Sequence, residues 1–276
     1  MITKRRSSPF LLRGTDFLVG IFLAFFNLGP LGILILLSIS KEWGTAFSWD
    51  FTSEWLLTVP VLFKTSIMWS LLFATITMFA TLIISAAVSY GILTGKFRGS
   101  LLIDAIIMMP LTISHIVIGL ALIVAYNSPP LKLHGTIWII IFGHFIIALP
   151  LAYRTIRAML ESIDLSLIEA AMSLGASEIV AFVRVILPLA APGLIACSLI
   201  AFITSLESYS LTMMIAPERI QTIPIQLFHY IYAETGAYTN YSIAAAMSIV
   251  MLIFIFGLNL IIKLITGRSW HEKLTV

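Results

Sequence analysis

Charge is scarce in this sequence. Asp, Glu, Lys and Arg make up 11% of its 276 residues, where soluble domains carry about 25%. Hydrophobic residues make up 60%, more than a soluble fold of this length can hide, so composition points to the bilayer as the solvent. The single cysteine, Cys197, stands inside an apolar run and excludes an intrachain disulfide framework; it reads as a packed, buried thiol. A nucleotide site is also lacking. Its nearest approach, Gly91-Ile92-Leu93-Thr94-Gly95-Lys96-Phe97, has one residue too few between its glycines, and Phe97 stands where a hydroxyl should hold magnesium. His115, His134, His144, His229 and His271 are scattered, with no HExxH pair and no cysteine nearby, which argues against a metal site. No GxSxG-type serine suggests a hydrolase. A net charge of +3 is too small to argue for a nucleic-acid partner.

What is present is a series of apolar runs. A spanning helix needs about 20 mostly apolar residues, and six stretches qualify: 16–40, 64–93, 101–126, 136–156, 189–215 and 243–266. No alternating strand pattern of the barrel kind is found, and backbone in lipid must satisfy its own hydrogen bonds, so the expected class is an all-α integral membrane protein of six helices. The run starting at Phe17 exceeds a signal-peptide core and has no small-x-small cleavage site, so it is expected to remain as an anchor. Lys and Arg set the orientation. With the N-terminus inside, twelve fall on the inner side (Lys4, Arg5, Arg6, Arg13, Lys96, Arg98, Arg154, Arg157, Arg184, Lys263, Arg268, Lys273) and four outside (Lys41, Lys64, Lys132, Arg219). Both termini, a tail over 1–15 and another over 267–276, are therefore expected in the cytoplasm.

The loops add detail. Trp43, Trp49 and Trp55 in 41–63 suit an interfacial belt. Tyr126-Asn127-Ser128-Pro129-Pro130 signals a turn. The stretch 216–242, with Pro217, Pro224, Gly236 and the aromatic run Phe228-His229-Tyr230-Ile231-Tyr232, has room for a short helix at the outer mouth. Pro110 should kink the third span. Gly91, Gly95 and Gly99 read as a turn in preference to a close helix contact. His144 is expected to bond a neighbouring helix.

The inner segment 164–188 reads as two short helices joined by a glycine. Ser166 with Glu169 three residues on is a capping-box pattern. Leu167, Ala170, Ala171 and Leu174 share a face at helical spacing, and Gly175 stands where a left-handed cap would end the helix. Ser177 can cap a second helix through Val180, Val183 and Leu187, stopped by Pro188. Physics leaves two readings open: a small-residue face offered to another protein, or an amphipathic connector on the headgroups.

Glu169-Ala170-Ala171, three residues, Gly175, nine residues, then Val185-Ile186-Leu187-Pro188 resembles the EAA loop of ABC importer permeases, with Val185 where isoleucine is usual. Phe97-Arg98-Gly99, Met109-Pro110, Leu149-Pro150 and Ile223-Pro224-Ile225 are also similar to permeases of the spermidine/putrescine group, and the resemblance covers about 64–262. It implies a type I importer permease fold with a cytoplasmic coupling helix, in which Glu169, Ala170, Ala171, Leu174 and Gly175 meet a separate ATPase subunit. It further implies no cofactor on this chain, ATP and magnesium on two partner ATPase subunits, a second permease subunit completing a heterodimer, a periplasmic substrate-binding protein, and a bacterial inner-membrane location.

Glu207 is read as the one acid inside the membrane, near the middle of the fifth span. A central acid costs on the order of 2.5–3.5 kcal/mol on insertion scales, so it should face protein or water. Thr204, Glu207 and Ser210 are expected on one helical face, with Ser205, Ser208 and Thr212 beside it and Tyr209 offering a ring to a cation. A stripe lining the route of a cationic or amine-bearing, polyamine-like solute is one reading; a structural hydrogen bond to another helix is the other. Polyamine permeases often carry adjacent acids here, whereas Ser208 follows Glu207 in this chain. The rival function is an ion-gradient-driven secondary transporter using Glu207 as its coupling site. A membrane enzyme is disfavoured because no catalytic constellation is found.

Overall fold

The computed structural model describes residues 9–41, 50–95, 99–164, 166–232 and 241–271, with side-chain surroundings from residue 16 to 260. Expectations for Trp43, Trp49, Lys96, Phe97, Arg98 and Gly236, and for most of both tails, fall outside the described residues. The described chain is helical apart from turns and one isolated antiparallel bridge between Ser40 and Phe51.

The helices in order are α1 (Pro9–Ser38), α2 (Glu54–Leu62), α3 (Lys64–Leu93), α4 (Ser100–Met108), α5 (His115–Tyr126), α6 (Ile137–Glu161), α7 (Ser166–Ser173), α8 (Glu178–Ala181), α9 (Leu187–Leu189), α10 (Ala191–Leu206), α11 (Ser210–Ile215), α12 (Ile223–Ile231) and α13 (Tyr241–His271). Four stretches are long and apolar enough to cross a membrane: Asp16–Ser38, Lys64–Leu93, Ile137–Glu161 and Tyr241–Leu260. Two further candidates are bent pairs, Ser100–Thr112 with His115–Tyr126 at 110° and Glu178–Leu189 with Ala191–Leu206 at 73°. The six apolar stretches thus correspond to four continuous helices and two broken ones.

The first break has a local cause. Pro110 sits in a tight 3-10 turn, Met109–Thr112, after which Ile113 turns extended and α5 starts. Proline has no N–H to continue the ladder and its ring crowds the preceding turn. Pro188 does not stop the chain as the sequence pattern suggests. The backbone widens into a π-helical turn, Phe182–Ile186, in which the Leu187 N–H reaches back to the Phe182 carbonyl, and helix resumes at α9. Such π turns absorb a mismatch without ending the helix.

The chain divides into two compact units. Residues 1–62 with 229–253 form one, in which the Trp55 indole N–H donates to the Ser40 carbonyl at 3.1 Å. Residues 63–228 with 254–276 form the other, and here α3, α6 and α10 pack on one another while α5 packs on α11. Small side chains make that packing close. On α3, Thr77, Thr81, Ser85 and Ser89 are buried at four-residue intervals, and Ala148, Ala152, Cys197 and Ala201 line the facing core. Where apolar side chains gain nothing from leaving lipid, close contact of small residues is what holds helices together. Gly193 shows how close: a Cβ there would lie 2.5 Å from Met159 on α6.

Candidate coupling segment and translocation site

The segment between α6 and α10 is anchored from beneath. Ile168 is buried in a cluster with Leu160, Ala181, Ile186 and Ala190, against which Ala171, Tyr90, Leu93 and Phe182 pack. Tyr90 at the end of α3 donates its hydroxyl proton to Glu178 Oε1 at 3.1 Å, and its ring lies 4.3 Å from that of Phe182. The segment is therefore tied to α3 as well as to α6 and α10.

Capping differs from the sequence expectation. Asp164, not a Ser166–Glu169 pair, starts α7: its carboxylate accepts from the Ser166 N–H at 2.9 Å. That backbone bond, with a second from the Ser166 side chain, holds the Asp164 carboxyl below the usual carboxylate range. The far end follows the expectation. Gly175 has φ 92°, its N–H bonds to the Met172 carbonyl at 2.9 Å, and the Ala176 N–H bonds to that of Ala171 at 3.1 Å. This pair of bonds is a Schellman cap, which needs a left-handed residue at that place. Ser177 then caps α8 by accepting from the Val180 N–H at 3.4 Å.

The five residues singled out here fall in two groups. Ala171 turns inward onto the buried cluster. Glu169, Ala170, Leu174 and Gly175 face outward, with Leu174 91% exposed. Leu167, Met172, Ile179 and Val183 add exposed apolar surface on the same segment.

The second site is rearranged relative to the sequence picture. α10 ends at Leu206 and α11 begins at Ser210, so Glu207 is the terminal cap of a helix, its N–H bonded to the Ile203 carbonyl at 3.0 Å. Thr204, Glu207 and Ser210 therefore do not follow one continuous helical face. Glu207 is exposed, Thr204 and Ser210 are half-buried, and half-buried Tyr209 lies ring to ring with Phe228 at 5.1 Å. Ser208 is buried, and its carbonyl accepts from the Thr212 hydroxyl at 2.5 Å.

Much of the neighbouring polarity is consumed internally. His144 on α6 is buried, with Nδ1 2.7 Å from Ser205 Oγ and Nε2 2.8 Å from Thr212 Oγ1. The expected interhelical bond of His144 is thus present, and Ser205 and Thr212 spend their hydroxyls on it.

Asp104 also lies within an apolar stretch, so Glu207 is not the one acid there. Its carboxylate accepts from the Tyr153 hydroxyl and from Arg157 Nη1, while Arg157 Nε donates to Glu161 at 2.8 Å. An acid in a span is reason to search for its partner; Arg157 was the available signal. The cluster ties α4 to α6.

A cavity of about 500 Å³ lined by Ala80, Ile84, Tyr126, Trp138, Phe142 and Phe145, among others, is walled almost wholly by carbon. It offers a charged solute no partner and is separate from Glu207.

Residues 83–270 match the family of binding-protein-dependent transport system inner membrane components. The chain is 28% identical over 260 residues to PhnV of Salmonella choleraesuis, whose name assigns it provisionally to 2-aminoethylphosphonate transport, covering 91% of this chain and 92% of that protein. It is 24% identical over 185 residues to PotC of Escherichia coli K12, a spermidine/putrescine transport system permease protein, covering 67% and 69%. Among solved structures, a chain of a bacterial ABC transporter for alginate import superposes with TM-score 0.70 at 15% identity, covering 94% of this chain and 96% of that one. A chain of the MetNI methionine ABC transporter gives 0.56 at 19% identity, covering 74% and 97%. The fold is that of a type I importer permease, and the chain belongs to the binding-protein-dependent inner-membrane family: it is a non-catalytic, multi-pass permease subunit of an ABC importer.

Proposed function

We propose that this subunit forms part of the translocation route for a small amine-bearing solute, with α7 as the docking helix for an ATPase and Glu207 as the carboxylate that meets the substrate's ammonium group. The observation that carries the docking role is the two-sidedness of α7. Ile168 and Ala171 root it in the helical core, while Glu169, Ala170 and Leu174 face outward ahead of a glycine cap. Small and apolar outward residues let another protein's surface approach closely. A helix anchored to α3, α6 and α10 can pass a push into the bundle.

ATP and magnesium belong to two partner ATPase subunits in this reading. A second, related permease completes the pore, and a periplasmic binding protein delivers the solute. A structure of a bacterial alginate ABC transporter in complex with an alginate pentasaccharide-bound periplasmic protein illustrates that delivery step for a relative in fold. The transmembrane type-1 permease domain spans about 64–262, preceded by an added first helix over 16–40, with tails 1–15 and 267–276 in the cytoplasm as the distribution of Lys and Arg favours.

The substrate class rests on chemistry shared by two relatives. 2-Aminoethylphosphonate and spermidine or putrescine, in the names of PhnV and PotC, all carry a primary ammonium group. Exposed Glu207 at a helix break, beside the half-buried Tyr209 ring, supplies a matching negative charge and an aromatic face. A single carboxylate among the described residues of this break suits an amine-bearing solute of lower charge better than a polycation. Family membership disfavours the secondary-transporter alternative, which leaves the α7 segment without a purpose.

Uptake of radiolabelled 2-aminoethylphosphonate and putrescine into cells carrying Glu207→Gln tests the pathway role. Losing a charge-assisted hydrogen bond of about 1.5–3 kcal/mol corresponds to a decrease of roughly tenfold or more in uptake of the native amine. Unchanged uptake of both would sink it.

A further inference from the structure

We propose that His144 is a positioning residue: its imidazole pins the break between α10 and α11, and so fixes where Glu207 stands. The proposal builds on the pathway reading of Glu207 by adding the group that sets its geometry.

Ser205 lies on α10 before the break and Thr212 on α11 after it, and one ring on a third helix, α6, bonds both, at 2.7 Å through Nδ1 and 2.8 Å through Nε2. Proton directions follow from the acceptors. The Thr212 hydroxyl has one proton, and at 2.5 Å from the Ser208 carbonyl it donates there, because a carbonyl can only accept. Thr212 Oγ1 must then accept from His144, which places the ring proton on Nε2 and leaves Nδ1 to accept from Ser205. Thr77 Oγ1 on α3 lies 3.5 Å from Ser205 Oγ, at the outer limit of a hydrogen bond. The result is a directional relay from Ser205 through the imidazole and Thr212 to the Ser208 carbonyl.

That carbonyl belongs to the break. Residues 207–209 lie outside both helices, so the break exposes backbone groups that need partners. Thr212 supplies one, and His144 holds Thr212 in the rotamer that does so. Phe73 packs edge-on against the ring at 5.9 Å between centroids, which further restrains it. His144, Ser205, Ser208 and Thr212 are all buried, so no solvent competes for these bonds. Within this turn Glu207 is exposed, Ser208 buried and Tyr209 half-buried. A polar relay ending on the residue after a candidate binding acid is a device for holding that acid in place.

The test uses the full-length chain in native membrane fragments. Cys197→Ala removes the native thiol and Glu207→Cys supplies a reporter, whose rate of reaction with a small charged thiol reagent is measured. Thr212→Val keeps shape and removes the hydroxyl; Thr212→Ser keeps the hydroxyl and removes a methyl group. Positioning predicts that Thr212→Val and His144→Phe each shift the rate about tenfold, as expected for one broken buried hydrogen bond, that the two together shift it no further, and that Thr212→Ser stays within about twofold of the parent. A packing role predicts the reverse order for the two Thr212 variants, which would overturn the proposal, as would unchanged rates in both His144→Phe and Thr212→Val. If His144→Phe does not accumulate, the Thr212 pair decides alone. Labelling reads the break itself, so its outcome is separate from whether Glu207→Gln alters uptake.

Discussion

Gly175 carries the cap of α7 at φ 92°, a conformation in which a side chain brings Cβ against the following carbonyl oxygen. For an L-residue that costs roughly 1–2 kcal/mol. No heavy atom lies within 4 Å of where its Cβ would be, so the penalty in Gly175→Ala is one of backbone alone. The expected outcome is an inserted protein whose 166–176 segment opens about tenfold more often, read as faster limited proteolysis there. Gly175→Asn should give a smaller increase, since Asn tolerates the left-handed region. Equal proteolysis of the parent and the alanine variant would show that the cap does not hold the segment.

At the scale of the element, α7 separates an anchored inner face from the outward face proposed for docking. Ala170→Arg places a long charged chain on the outward face and should leave membrane abundance unchanged, while reducing co-purification of the ATPase subunits at least tenfold, the scale of a docking residue worth about 1.4 kcal/mol or more. Ile168→Asp, at a buried position, should instead lower abundance, because it places an unpaired charge in the anchoring cluster. If Ala170→Arg retains full ATPase binding, docking lies elsewhere.

The same scale shows what could be read from sequence. The apolar stretches were legible because hydropathy depends only on composition in a window. The spacing around Gly175 was legible because a left-handed cap is a local property. The broken fifth helix was not, because 189–215 stays apolar on average despite Glu207 and the hydroxyls beside it, and its interruption at 207–209 is held by His144, more than sixty residues away in sequence. Pro110 did mark its break, since a missing N–H acts within one turn. Asp104 was passed over for the same reason as the His144 relay: its partners Tyr153 and Arg157 become neighbours only when α4 packs on α6.

For the whole molecule, the proposed docking role of α7 puts the energy source on a partner ATPase of the importer. Force would enter at α7, pass through the Ile168 cluster and the Tyr90–Glu178 bond into α3, α6 and α10, and end at the break that carries Glu207. The most direct measurement is uptake of radiolabelled 2-aminoethylphosphonate and putrescine into proteoliposomes. The chain would be reconstituted alone, or with the proposed partner ATPase, second permease and binding protein. The account predicts no uptake by the chain alone, even under a proton or sodium gradient, and uptake of an amine by the full assembly only with ATP. Gradient-driven uptake by the chain alone, without ATP, would contradict it.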